Sequence, residues 1–141
     1  MAVTAPEFSR PVDVARLGAG EAIYDIEASE AERAALAERL GLVSLDRLTA
    51  HVVLRRAAGG MVRLAASLAA DLVQTDVVTL DPLPAHLEDE FTLLFAEAGE
   101  DEDGAFDPDA ETVETMENGR IDLGEAVAQQ LSLAMDPYPR A

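Results

Sequence analysis

The chain contains no cysteine and no lysine, and only 2 of its 141 residues are histidine. Without cysteine the protein can form neither disulfides nor thiolate metal sites, and a thiol nucleophile is excluded. A long apolar run is also missing, because Arg63 and Asp71 interrupt the most apolar stretch, residues 61–73. The first residues lack the basic and then apolar order of a secretory signal. We therefore expect a cytoplasmic protein that does not contact membranes.

Positive charge is scarce throughout the chain. The 10 basic residues, all of them arginine, stand against 28 acidic residues, and the formal net charge is −18. Ten of the acidic residues, and no arginine, lie between Glu97 and Glu117. Such a field repels phosphate backbones and attracts basic proteins, although an acidic surface can also serve solubility alone. The charge argues against autonomous binding of nucleic acid and favours a basic protein as the partner.

The length of the chain suits a single domain, which we assign to residues 1–141. Within it, the stretch from about 97 to 112 combines dense acidic charge with Gly99, Gly104 and Pro108. A segment with so little apolar content cannot bury enough surface to fold by itself. We expect a flexible acidic loop there.

Alternation of apolar and polar residues predicts a meander of strands in the middle of the chain. Apolar residues occupy the even positions from 48 to 54 and from 62 to 72, on either side of AAGG at 57–60. This period of two is typical of strands with one buried face, and two such runs can pair as an antiparallel hairpin. A third run, at odd positions from 87 to 95, would complete the meander after a turn that we place at Pro82 and Pro84.

Shorter elements precede the hairpin. Residues 8–16 and 22–28 are strand-like runs, and a helix follows them. Ser29 and Glu32 have the spacing of a capping box at its start, and Gly41 provides its end.

The last element is a second amphipathic helix. Asp122 is its expected N-cap, and Leu123, Val127 and Leu131 lie on one stripe of its surface. Together these elements predict an α+β fold: an antiparallel β-meander or partly open barrel with two helices packed against it.

No arrangement of residues points to catalysis. His51 and His86 lack a second ligand at metal spacing, and we interpret both as surface residues. Paired carboxylates such as Glu88 and Glu90 are too common in this chain to indicate acid–base chemistry. The acidic stretch fails the spacing of a calcium-binding EF-hand loop, and the turn at 18–21 lacks the lysine of a phosphate-binding loop. We predict a non-enzymatic protein with no cofactor and no metal site.

Several segments together resemble the YceD family, the large ribosomal RNA subunit accumulation proteins. They are DIEASEAERAALAERLGL at 25–42, QTDVVTLDP at 74–82, LEDEFTLLFAE at 87–97 and NGRIDLGEAVAQQLSLAMDPYPR at 118–140. The order of IDL, a helix and DPYPR after the acidic stretch is the most specific of these motifs, whereas the alternating hairpin is generic. The motif positions are Gln74, Asp76, Thr79, Leu80, Pro82, Ile121, Asp122 and Leu123.

The resemblance implies a role in the synthesis, processing or accumulation of large-subunit ribosomal RNA, without a known reaction chemistry. In family members the position of Asp76 is commonly cysteine, often within a C-x-x-C-L pattern that would end at Leu80. Because this chain has lost both cysteines, we expect no metal or thiol role there. Asp76 and Thr79 instead favour a turn through local side-chain hydrogen bonds, with Asp76 solvated at the strand end.

Two ways of acting on ribosomal RNA remain open. In the first, the acidic stretch binds a basic ribosomal protein or assembly factor, and the effect on RNA is indirect. Its candidate contact residues are Glu100, Asp101, Glu102, Asp103, Asp107 and Asp109. In the second, a positive patch on the exposed face of the hairpin binds the RNA directly. The residues of that patch would be Arg47, Arg55, Arg56 and Arg63.

Overall fold

The computed structural model describes residues 7–18, 20–97, 113–116, 118–135 and 139. The strands are β1 (Pro11–Asp13), β2 (Ala22–Glu27), β3 (Ser44–Arg56), β4 (Val62–Thr75), β5 (Pro82–Glu97), β6 (Val113–Met116) and β7 (Arg120–Asp122). The helices are α1 (Glu30–Leu40) and α2 (Leu123–Ala134). Strands β2 to β6 form a five-stranded sheet in sequence order, and β1 pairs with β7 in a two-stranded sheet. The predicted α+β fold is confirmed, and the large sheet is not closed into a barrel.

The hairpin of β3 and β4 forms the centre of the large sheet. The even-numbered residues from 48 to 54 and from 64 to 70 face each other across the two strands, as Ala50 and Leu68 do, and their side chains are buried. Strand β5 continues the antiparallel meander and places its odd positions on the same face, with Phe91 opposite Ala66. Strand β6 runs parallel to β5. The sheet is therefore the predicted three-stranded meander, extended by β2 next to β3 and by the parallel strand β6 next to β5.

Both helices pack against the face formed by the even positions of β3 and β4. Helix α1 begins at the predicted capping box, where the Glu32 N–H donates to Ser29 Oγ at 3.2 Å and the Ser29 N–H donates to the Glu32 carboxylate at 2.8 Å. It ends at Gly41, whose φ of 70° suits a residue without a β-carbon. Val127 and Leu131 of α2 are buried in the same core as the strands. The odd positions of the hairpin consequently face away from the core.

The two prolines that we expected in a turn lie in a strand. Pro82 and Pro84 belong to β5 and are paired with Thr75 and Val73 of β4. Strand β6 pairs only with residues 94–97 of β5, so near the prolines the second edge of β5 has no partner among the described strands. A missing N–H on that edge removes no ladder hydrogen bond. The predicted position of the turn was wrong for this reason.

Arg10 ties the N-terminal segment to α1. Its guanidinium donates two hydrogen bonds to the Glu32 carboxylate, at 2.7 and 2.9 Å, and lies 4.8 Å from the centre of the Phe8 ring. The hydrogen bonds from Arg10, together with the one from the Ser29 N–H, lower the pKa of Glu32 from 4.5 to about 2. The pair therefore stabilises the fold only while Glu32 is ionised.

We expect Glu32→Gln to lower the free energy of unfolding by about 1–2 kcal/mol near pH 7, a value reduced for the partial exposure of the pair. Because the pKa of Glu32 is lowered on folding, this contribution is complete above a pH of about 4.5 and is lost as the pH falls towards 2. Urea unfolding of protein and variant at the two ends of this range measures the change. Glu30→Gln, in the same exposed helix turn, is the control. A difference that does not vary with pH would contradict the assignment.

Candidate binding surface

The face of the large sheet that points away from the helices is exposed to solvent. We call it the open face; it is formed by the odd positions of β2, β3 and β4 and the even positions of β5. Its centre consists of two cross-strand rows, Asp25–His51–Ser67–Glu90 and Glu27–Thr49–Ala69–Glu88. These rows line a groove of about 780 Å³. The open face is thus concave at its centre.

The groove has acidic walls and a floor of mostly small side chains. Asp25 and Glu27 of β2 form one wall, Glu88 and Glu90 of β5 form the other, and all four residues are exposed. The floor between them is formed by Thr49, His51, Ser67 and Ala69. A concave surface lined by charges of one sign concentrates their field. The centre of the open face is accordingly a site of negative potential.

Both histidines contact carboxylates of the open face. His51 Nδ1 lies 2.6 Å from the carboxylate of Asp25. His86 lies 2.9 Å from the carboxylate of Glu88 and 2.6 Å from that of Asp71. These hydrogen bonds, the one to Glu88 first, raise the pKa of His86. The interpretation of both histidines as surface residues is confirmed, since their side chains are 52% and 54% exposed.

The arginines of the hairpin do not form the continuous patch that we predicted. Arg55 and Arg63 are directly opposite each other at one end of the open face, where Arg55 forms an ion pair with Glu21. Arg47 is at the other end, opposite Asp71. Arg47 and Arg55 are eight positions apart along β3, about 27 Å, and the acidic groove lies between them.

Arg56 lies on the other side of the sheet. Its cross-strand partner, Val62, belongs to the core. The Arg56 guanidinium donates hydrogen bonds to the carbonyl oxygens of Val14 and Leu17, at 3.0 and 2.9 Å. Neighbouring residues of a strand point to opposite faces, so Arg56 cannot share a face with Arg55. The prediction of a four-arginine surface was wrong at this position.

The motif QTDVVTLDP forms the turn between β4 and β5. Gln74 and Asp76 are buried, with 8% and 4% of their surface exposed. The Asp76 carboxylate accepts hydrogen bonds from the N–H groups of Val78 and Thr79, at 2.8 and 3.1 Å. The Leu80 N–H donates to the Asp76 carbonyl at 2.8 Å. The predicted turn hydrogen bonds are confirmed, but the expected solvation of Asp76 was wrong, because the carboxylate lies beneath the turn that it holds.

The outer side of this turn is apolar. Val78 and Leu80 are 70% and 75% exposed. Leu80 has a φ of 66°, a left-handed conformation that crowds a leucine side chain against its backbone. Thr79 Oγ1 accepts a hydrogen bond from the Asp81 N–H at 3.3 Å, and Pro82 starts β5. The motif positions Thr79 and Pro82 thus complete the turn.

The motif IDL joins β7 to α2. Ile121 and Leu123 are almost fully buried. The Asp122 carboxylate caps α2, accepting a hydrogen bond at 3.2 Å from a backbone N–H in the first turn. It also accepts hydrogen bonds from the Ser9 hydroxyl and the Arg10 backbone N–H, both at 2.7 Å. In this structure the motif fastens the N-terminal segment to α2.

The acidic residues that we predicted as partner contacts, Glu100, Asp101, Glu102, Asp103, Asp107 and Asp109, lie outside the described residues, as does all of 98–112. Glu97, where we expected the loop to begin, is the last residue of β5. The sequence reasoning missed the acidic walls as a binding surface. The signal was available in part, because the strand alternation places Glu88 and Glu90 opposite the core side of β5.

Among the described residues, no three histidine, aspartate or glutamate side chains are grouped so as to hold a metal ion. No helix in the described part of the chain is both long and apolar enough to cross a bilayer. Comparison of the chain with protein families, with curated proteins and with solved structures finds no match. The open face is the candidate binding surface on the strength of its own shape and charge.

Proposed function

We propose that the protein is a non-enzymatic, cytoplasmic adaptor that supports the accumulation or processing of large-subunit ribosomal RNA by binding a basic ribosomal protein or assembly factor. The observation that carries the binding is the pair of acidic walls on the open face of a chain with a net charge of −18. Such a surface attracts polycations and repels phosphates. The ribosomal part of the proposal rests on the resemblance of the sequence to the YceD family.

Direct binding of ribosomal RNA by the arginines is the weaker candidate. Arg55 is ion-paired with Glu21, and Arg56 is engaged with backbone carbonyls on the other face. An RNA strand lying along the hairpin from Arg55 to Arg47 would cross the acidic groove. Its phosphates would be repelled there, so the arginines cannot act as one continuous binding stripe.

The acidic stretch at 98–112 adds to the same negative field. We assign to it the long-range attraction of the partner, and to the open face the contact itself. Long-range attraction between opposite charges accelerates association and is weakened by salt. Binding should therefore depend strongly on ionic strength.

Affinity purification of the full chain from a cell lysate, at about 0.1 M and about 0.5 M salt, tests this function. We expect a basic large-subunit ribosomal protein or assembly factor to be captured at the lower salt, to survive ribonuclease treatment and to be lost at the higher salt. Neutralising Glu100, Asp101, Glu102 and Asp103 should weaken the capture. Cells that lack the protein should contain a smaller amount of mature large-subunit ribosomal RNA.

Two results would contradict the proposal. One is salt-tolerant capture of ribosomal RNA without any accompanying protein. The other is an unchanged level of large-subunit ribosomal RNA in cells that lack the protein. Capture that ribonuclease abolishes would favour the arginine surface instead.

A further inference from the structure

We propose that the open face docks an α-helix of the basic partner, with the helix lying along the strands and carrying arginine or lysine on both flanks. The inference deepens the proposed function and rests on it for the identity of the partner. Its physical basis is the placement of four exposed carboxylates around an unpartnered sheet face. Asp25 and Glu90 end one cross-strand row, and Glu27 and Glu88 end the next.

The width of the groove matches a helix. Strands β3 and β4 lie between β2 and β5, so the two acidic walls are three strand spacings apart, about 14 Å. An α-helix with its side chains is about 10–12 Å across and fits between the walls. The backbone of a single extended strand is only about 5 Å wide and leaves most of this width unfilled. The width of the groove therefore favours a helix over an extended peptide.

The spacing of the carboxylates along each wall matches one helical turn. Asp25 and Glu27 are two strand residues apart, as are Glu88 and Glu90, which separates the carboxylates of a wall by about 7 Å. Basic residues at positions i and i+4 of a helix are about 6 Å apart along its axis. One helix can thus present a basic pair to each wall, in which Glu27 and Glu90 stand beside Asp25 and Glu88, the carboxylates that also contact His51 and His86.

The floor of the groove determines what faces it. Ser67 and Ala69 are small, so a helix backbone can approach β4 closely. The side of the helix between its two basic flanks should therefore carry small residues such as alanine. The basic part of the helix should lie over the four carboxylates that line the groove.

Two designed peptides test the geometry directly. Both are alanine-rich, of about 20 residues so that they are helical in water, and identical in composition. In the first, arginines at i and i+4 form two flanks on either side of an alanine face; in the second, the same arginines are distributed around the helix. We expect the first peptide to bind the wild-type protein at least tenfold more tightly, and to shift the backbone amide NMR signals of Ser67 and Ala69.

Two charge-matched protein variants test whether the four carboxylates of the open face bind the peptide. The open-face variant carries Asp25→Asn, Glu27→Gln, Glu88→Gln and Glu90→Gln. The control variant carries Glu30→Gln, Glu38→Gln, Asp46→Asn and Asp81→Asn, which removes the same charge from exposed positions elsewhere. We expect the open-face variant to bind the first peptide at least tenfold more weakly than the wild type does. The affinity of the control variant for this peptide should fall less than threefold.

Equal binding of the two peptides to the wild-type protein would overturn the inference, and this comparison needs no variant to fold. An equal loss in the two variants would overturn it as well, since net charge alone would then explain the attraction. The outcomes also separate the inference from the proposed function. A ribosomal partner that still binds the open-face variant refutes helix docking and leaves the adaptor role intact. Selective peptide binding without any ribosomal partner does the opposite.

Discussion

Gly124→Ala is expected to lower the free energy of unfolding by about 2–3 kcal/mol and the melting temperature by about 10 °C. A β-carbon at this position would lie 2.5 Å from the carbonyl oxygen of Phe8 and 2.8 Å from its carbonyl carbon. The contact cannot be relieved by rotating a side chain, because both atoms belong to the backbone. Phe8 itself is fully buried, and the Asp122 carboxylate holds the residues that follow it. Urea and thermal unfolding measure the loss.

Gly18→Ala is the matched control for this substitution. A β-carbon at Gly18 would have no atom within 4 Å. The same chemical change there should be neutral or stabilise the fold by a few tenths of a kcal/mol, because alanine reduces the freedom of the unfolded chain. Equal stability of the Gly124→Ala protein and the wild type would mean that the N-terminal segment does not pack on α2 as described.

Asp76→Ala is expected to lower the free energy of unfolding by about 2–3 kcal/mol, because it leaves two backbone N–H groups of the turn without their charged acceptor. These are the N–H groups of Val78 and Thr79, which bond to the carboxylate at 2.8 and 3.1 Å. Asp76→Asn keeps one acceptor oxygen and should lower the free energy of unfolding by only about half as much. Urea unfolding of the two variants measures the difference. A loss below about 0.5 kcal/mol for Asp76→Ala would show that the carboxylate does not hold the turn.

Another substitution in the same turn should stabilise the fold instead of destabilising it. Leu80→Gly should raise the free energy of unfolding by about 1 kcal/mol, because glycine adopts the left-handed conformation of this position without crowding. Leu80 loses little by truncation, since its side chain is 75% exposed. An opposite effect of Asp76→Ala and Leu80→Gly distinguishes a specific turn geometry from general sensitivity of the β4–β5 connection.

Much of the fold was predictable because its signals are local. The alternation in β3 and β4 identified the buried face, and the structure places Leu64 and Leu72 there as expected. The caps of both helices at Ser29 and Asp122 were also correct, since a cap depends on a few consecutive residues. The same alternation places Arg56 on the opposite face of the sheet from Arg55.

The prolines and the buried aspartate could not be placed in this way. Whether Pro84 can belong to a strand depends on which edge of β5 is paired, and that is set by the distant strand β6. Asp76 follows a polar turn pattern, yet its burial depends on the chain that packs around it, including the contact of the Val77 N–H with the Pro139 carbonyl at 2.9 Å. The strand position of Pro84 and the burial of Asp76 therefore both depend on tertiary contacts.

The sequence by itself determined the central hairpin, its buried face, the helix caps and the dominance of negative charge, because each of these follows from neighbours in the chain or from composition. The tertiary structure alone decided that Asp25 and Glu27 stand across a groove from Glu90 and Glu88. These pairs are separated by about 60 residues, and only the register of three antiparallel pairings brings them into common rows. A shift of that register by one residue would turn one wall towards the core, so the candidate binding surface is a property of pairing rather than of composition.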